Sequence, residues 1–239
     1  MEQVLMNIIE ADNISFGYDR PLLSNVSFDV KDNSITGVIG VNGAGKTTLF
    51  DLLCRIRKPD RGILKVHTAD PAYLSQTLTT SPALKLGDLF TMISMLGSKS
   101  GLTLADATAM LGDWNTALAC RFERLSQRRS THCSYGEIRY YFALSLLVLP
   151  NELVLMDEPT AGVDPEHRYY IWQAIHAAKS AGKTVIVSSH NLQEITQHTE
   201  VFWLIGAQKM TRFSNEMEFL SRFEADDLDQ AFMNANRQN

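Results

Sequence analysis

Residues Gly40-Val41-Asn42-Gly43-Ala44-Gly45-Lys46-Thr47 satisfy the pattern GxxxxGK(S/T), between the apolar run Ser34 to Ile39 and the apolar-periodic stretch Thr47 to Ile56. A strand, a glycine-rich loop and a helix, in that order, form the context in which this pattern has a physical meaning. Glycines let consecutive backbone amides curl around an anion, and the helix N-terminus adds its dipole, so the segment predicts a seat for a nucleotide β-phosphate. Lys46 is placed to reach the β- and γ-oxygens, and the Thr47 hydroxyl to ligate Mg²⁺.

A second apolar strand, Leu153-Val154-Leu155-Met156, ends in Asp157 and Glu158. At a strand tip beside a phosphate loop, two adjacent acids divide the work. Asp157 is placed to hold the metal, directly or through water, and Glu158 to orient and deprotonate an attacking water. A helix is expected over Pro165 to Ala181 and a strand over Thr184 to Ser188. Asp164 can cap that helix, Pro165 suits its first position and Gly182 its exit. Two apolar strands joined by a capped helix imply parallel pairing through a right-handed crossover over a buried sheet.

Ile8 to Ser15 and Ser24 to Val30 alternate apolar and polar residues around the turn-forming Tyr18-Asp19-Arg20-Pro21, which reads as two antiparallel strands. Lys58-Pro59-Asp60-Arg61-Gly62 stops the first helix, and Ile63 to Val66 resumes as a strand. From about Thr77 to Leu149 the chain is richer in Met, Ala, Leu and Ser with helical periodicity, so a helical lobe is expected there.

Composition closes off other classes. With 239 residues, 45% hydrophobic and 21% charged, the chain suits one ordinary globular domain or two small lobes. Acids outnumber bases 27 to 22, and the net charge of −5 weighs against a nucleic-acid partner. The longest apolar run, Tyr140 to Leu149, is broken only by Ser145 and stops at Pro150, about half the ~20 residues a membrane span needs. Met1 to Asp12 carries Glu2 and Glu10 and no basic flank, so it does not read as a secretion signal, and a cytoplasmic chain is expected. Cys54, Cys120 and Cys133 form no CxxC pair and read as reduced thiols, and the histidines have no metal-ligand spacing.

Taken in order, these motifs resemble the nucleotide-binding subunit of ATP-binding cassette (ABC) transporters, over nearly the whole chain. Asp157-Glu158-Pro159-Thr160-Ala161-Gly162-Val163-Asp164 is similar to the family's Walker B strand running into its D-loop. Thr184 to His190 resembles the strand before its switch histidine, which implies His190 at the γ-phosphate. Tyr73-Leu74-Ser75-Gln76 resembles the Q-loop, which implies that Gln76 links Mg²⁺ and water to the helical lobe. Phe16-Gly17-Tyr18 resembles the A-loop, which implies that the Tyr18 ring stacks on adenine. By the same resemblance Gly40, Asn42, Gly43, Ala44, Gly45, Lys46, Thr47, Thr48 and Asp164 contact nucleotide, and Thr47, Gln76 and Asp157 hold the metal.

The family's LSGGQ-like signature has two candidates here. Leu125-Ser126-Gln127-Arg128-Arg129 begins as expected but has no glycine, so its backbone could not approach a phosphate closely. Cys133-Ser134-Tyr135-Gly136-Glu137 keeps the serine and second glycine, replaces Gln by Glu, and opens the apolar helix Ile138 to Leu149. It is preferred, because Ser134 lies 23 residues before Asp157, an interval that resembles the family's. The Ser134 hydroxyl and the amides around Gly136 then form a second anion site for the nucleotide of a partner subunit. Tyr135 stands where the family has its first glycine. Its ring either obstructs closure of the dimer, in which case Tyr135→Gly raises turnover, or points sideways and leaves the backbone to act.

Val201 to Gly206 with Lys209-Met210 resembles the hairpin that follows the switch histidine. The remaining tail, with Phe219-Leu220 and the acidic amphipathic Asp226 to Phe232, resembles the ends of exporter-type subunits, a solvated terminal helix being the alternative.

The resemblance implies an α/β P-loop NTPase with a RecA-like core and mixed sheet, an N-terminal antiparallel β part and a helical subdomain. Its expected organisation is one ABC ATPase domain over 1–239: core at 1–76 and 150–210, helical subdomain at 77–149, tail at 211–239. The implied reaction is hydrolysis of ATP, with Mg²⁺, by two subunits closed head to tail over two MgATP. Glu158 activates water, and His190 and Lys46 stabilise the charge that develops on the transferred group. The implied partners are a second ATP-binding subunit and an integral membrane permease, with the chain peripheral on the inner face of the cell membrane. Two alternatives are an ATPase driving a soluble cytosolic assembly and a weakly hydrolysing regulatory subunit, and Glu158 and His190 argue against the second. The length leaves no room for a tandem second cassette, and a kinase would make the signature, D-loop and His190 coincidences.

Overall fold

Alternation of apolar and polar residues carries the chain into its first ladder. In a computed structural model that describes residues 6–97 and 101–237, strands β1 (Asn7–Gly17) and β2 (Pro21–Lys31) pair antiparallel, from Asn7 opposite Lys31 to Gly17 opposite Pro21. Met1 to Leu5, on which part of the N-terminal reading rests, lie outside the described residues, as do 98–100 of the helical lobe and 238–239 of the tail. The chain divides into two compact units, Met1–Ala69 with Thr184–Asn239, and Asp70–Lys183.

In the first unit β3 (Ile35–Ile39) leads through residues 40–45 into helix α1 (Lys46–Leu53), and β4 (Arg61–Val66) pairs antiparallel with the free side of β1. Helix α1 stops three residues short of the expected Ile56. Arg55 turns left-handed at φ 59°, and the amides of Arg55 and Ile56 close on the carbonyls of Leu52 and Asp51, a cap that usually takes glycine. The Arg55 guanidinium holds this turn by donating to the carbonyls of Val66, Thr68 and Ala69.

The second unit opens with β5 (Ala72–Leu74), then α2 (Leu86–Gly97), α3 (Leu104–Trp114), α4 (Thr116–Ser126), α5 (Tyr135–Val148), β6 (Leu153–Asp157) and α6 (Pro165–Ser180). β5 and β6 pair in parallel. Phe90, Phe122 and Tyr141, from α2, α4 and α5, are buried in one aromatic stack with centroids 5.7 and 4.5 Å apart. Residues 150–183 fall in this unit. Helix α6 ends as read: the amides of Gly182 and Lys183 bond the carbonyls of Lys179 and Ala178.

The chain then returns to the first unit with β7 (Thr184–Ser188), α7 (Leu192–His198), β8 (Val201–Gly206), β9 (Lys209–Phe213), α8 (Glu216–Arg222) and α9 (Leu228–Arg237). Wholly buried β3 pairs in parallel with β7 on one side and β8 on the other, and β8 turns back antiparallel into β9. The tail is packed, since Phe219 of α8 is buried among Phe202, Phe213 and Phe223, and α9 buries Ala231 and Ala235. No helix among the described residues is long and apolar enough to cross a membrane.

Candidate functional site

The loop between β3 and α1 has the backbone its sequence requires. Gly43 and Gly45 sit at φ 80° and 110°, where an L side chain is strained, and a Cβ on Gly43 would meet nothing within 4 Å. The space beside the loop is therefore open to a ligand. Lys46 opens α1 and is 8% exposed; its Nζ bends back to donate to the Gly40 carbonyl at 2.8 Å. Thr47 is exposed and Thr48 buried. A helix N-terminus, a loop with glycine at 40, 43 and 45 and an ammonium turned over it suit an anion such as a phosphate chain, and the Thr47 hydroxyl suits the Mg²⁺ that chain carries.

Two other expected residues belong to the same unit. Tyr18 is 55% exposed, its ring edge-on to Phe16 and covered on a face by the Arg57 guanidinium at 5.0 Å. His190 follows β7, is exposed, and lines a groove of about 810 Å³ together with Asn191, Gln193, Glu216 and Asp226.

The remaining expected residues are in the second unit. Asp157 ends β6 and Glu158 follows it, and they are 1% and 4% exposed. Glu158 has φ 55°, a conformation few non-glycine residues adopt, and its carbonyl accepts from the Ala161 amide at 3.1 Å and from Arg139 Nε at 2.7 Å. Gln76 is exposed, and its carbonyl accepts from Arg139 Nη1 at 2.9 Å and from the Tyr135 hydroxyl at 3.1 Å.

Of the two signature candidates, the second begins a helix as expected. Ser134 caps α5: its hydroxyl accepts from the Glu137 amide, and the Glu137 carboxylate accepts from the Ser134 amide at 2.8 Å. Burial pushes the Glu137 carboxyl up, but the Ser134 amide and Arg128, bonded at 2.6 Å, outweigh it and hold the group below the usual carboxylate range. Ser126 of the other candidate ends α4, buried, with its hydroxyl donating to the Glu123 carbonyl. Gly136 is closely packed: a Cβ there would be 3.2 Å from the Gly162 carbonyl oxygen. The Tyr135 ring lies against Gly162, and its hydroxyl donates to the Gln76 carbonyl.

Asp164 caps α6 by accepting from the amides of Glu166 and His167, and its other oxygen meets His167 Nδ1 at 2.5 Å. The His167 bond pulls the Asp164 carboxyl below its ordinary range. Asp164→Ala is therefore expected to lower the unfolding free energy by about 1 kcal/mol in denaturant titrations, and Asp164→Asn to restore most of it. A lowered carboxylate pKa makes the capping contribution complete above the ordinary pKa and lost as pH falls through the lowered one. The asparagine variant should lack that pH dependence, and equal stability of parent and alanine variant would rule out the cap.

Sequence reading missed Arg139, Arg57, Arg128 and His167. Only Arg139 left a signal, as the one charged residue between Glu137 and Pro150.

Comparison with known proteins points to one family. The family model described as ABC transporter matches residues 23–161, from β2 to just past Glu158. The chain is 28% identical over 221 residues to Protein McbF of Escherichia coli, covering 89% of this chain and 88% of that protein. It is 28% identical over 200 residues to the daunorubicin resistance ATP-binding protein DrrA3 of Streptomyces coeruleorubidus, 80% of this chain and 63% of that one. A solved ATP-binding subunit of an ABC transporter superposes with a TM-score of 0.79 at 20% identity, over 95% of this chain and 98% of the other, a likeness of fold.

Proposed function

Because this chain belongs to the ABC transporter family as one of its ATP-binding subunits, we propose that it hydrolyses ATP as a dimer closed head to tail over two MgATP, and so drives a membrane-spanning permease. The observation that carries the reading is the open loop at 40–47 with Lys46 turned over it. Bound Mg²⁺ would shield and orient the phosphates. Thr47, Gln76 and Asp157 are the residues assigned to hold it.

The rest is the work of the chain's own side chains. Loop amides of residues 40–48 bind the β-phosphate, and Lys46 neutralises charge on the β- and γ-oxygens. The Tyr18 ring packs on the adenine. Glu158 takes a proton from the attacking water, and His190 donates to the γ-phosphate as negative charge gathers there. The Ser134 hydroxyl, the amide of Gly136 and the Asp164 carboxylate serve the nucleotide bound to the partner subunit. The chain then lies on the inner face of the cell membrane, held there by the permease.

The test is to tag the chain in its own cell, extract with mild detergent and identify what co-purifies in stoichiometric amount. A multi-spanning membrane protein, together with MgATP hydrolysis by the complex, is the expected result. A soluble partner with ATP hydrolysis would remove the permease from the reading and keep the ATPase.

A further inference from the structure

Arg139 is fully buried in α5, and its guanidinium joins three separate stretches of the second unit. Nε donates to the Glu158 carbonyl at 2.7 Å and Nη2 to the Asp157 carbonyl; Nη1 donates to the Gln76 carbonyl at 2.9 Å and to the Tyr135 hydroxyl at 3.1 Å. The Tyr135 hydroxyl in turn donates to the same Gln76 carbonyl at 3.1 Å. Burying a guanidinium is unfavourable unless its donors are filled, and packing an apolar side chain there would be the cheaper solution. The acceptors it meets here are backbone carbonyls and a hydroxyl, so its bonds fix the positions of chain segments.

Two of those segments need fixing. Glu158 is held at φ 55°, which its own chain would leave unless the surroundings over-determine it, and Gln76 lies on exposed chain just past the short strand β5. We infer that Tyr135 and Arg139 form one positioning unit, which holds the backbone of Gln76 and Glu158 in register and ties both to the start of helix α5. Tyr135 is the part that a glycine at this place could not supply, since it adds the hydroxyl that both accepts from Arg139 and donates to Gln76. The unit places the general base and the metal-linked glutamine relative to Ser134, so a shift of α5 at the partner's nucleotide is felt at the attacking water. This rests on the proposed roles of Glu158, Gln76 and Ser134.

The experiment is steady-state MgATP hydrolysis by the full chain carrying Tyr135→Phe, Arg139→Lys, both together, or Glu158→Gln. Tyr135→Phe keeps the ring and removes the hydroxyl, and should lower kcat about 5-fold with KM within about 2-fold. Arg139→Lys keeps the charge but not the planar fork, and should lower kcat about 100-fold, again with little change in KM. The double variant should lose less than the product of the two single losses, because both side chains hold the same Gln76 carbonyl and bond each other. Thermal unfolding sets the assay temperature where each variant is folded.

Parental kcat in Tyr135→Phe overturns the inference, as does a loss that only follows the folded fraction or a double variant whose losses multiply. If Arg139→Lys does not fold, the kcat and KM of Tyr135→Phe decide alone. Glu158→Gln separates the two levels. If it abolishes turnover while Tyr135→Phe and Arg139→Lys match the parent, only the positioning unit is wrong. If Glu158→Gln itself turns over normally, the catalytic reading beneath the inference is wrong.

Discussion

Glu158→Gln is expected to bind MgATP within a few-fold of the parent and to lose about three orders of magnitude in steady-state turnover, the range a positioned general base contributes. The side chain is 4% exposed at the end of a wholly buried strand, and its backbone is pinned by Arg139 and Ala161, so glutamine should keep the geometry and remove only the basicity. Nucleotide then enters and is not consumed, and the variant should accumulate as a nucleotide-loaded dimer. Size-exclusion chromatography with MgATP tests the dimer, and phosphate release tests the turnover. Near-parental turnover would remove Glu158 as the base. The remaining acid of the pair, Asp157, would be the next to examine by the same substitution to the amide.

Lys46→Ala is expected to weaken MgATP binding about 100-fold and to take hydrolysis below detection, since a desolvated charge-assisted contact is lost at both the β- and γ-oxygens. The ammonium is 8% exposed and already turned to the Gly40 carbonyl, so little rotamer freedom remains to be lost when the phosphate arrives. Removing a buried ammonium should leave the thermal midpoint unchanged or raised, which separates lost binding from lost folding. Calorimetric titration with MgATP gives the affinity. A parental dissociation constant would mean that the loop amides alone hold the nucleotide and that Lys46 serves the fold.

Much of this was written locally in the chain. The glycine-rich loop, the Asp164 cap with Pro165, the Gly182 exit, the turn between β8 and β9 and the acids at the end of β6 depend on residues within a few positions of one another, and each stands where the pattern placed it. Helix α1 ends early because Arg55 takes the left-handed cap that sequence reading reserves for glycine, and what holds it there is a set of carbonyls at 66–69. In the tail, Phe219 is buried in an aromatic cluster with Phe202 and Phe213, which lie in β8 and β9.

The family was legible in the sequence alone, because a phosphate-binding loop needs specific residue types at fixed spacing within one short segment. The contacts of the Tyr135 ring, the close packing at Gly136 and the partners of the Arg139 guanidinium were decided only by tertiary structure. Arg139 reaches 63 residues back to Gln76 and 19 forward to Glu158, and no local period in the chain records contacts made across such distances.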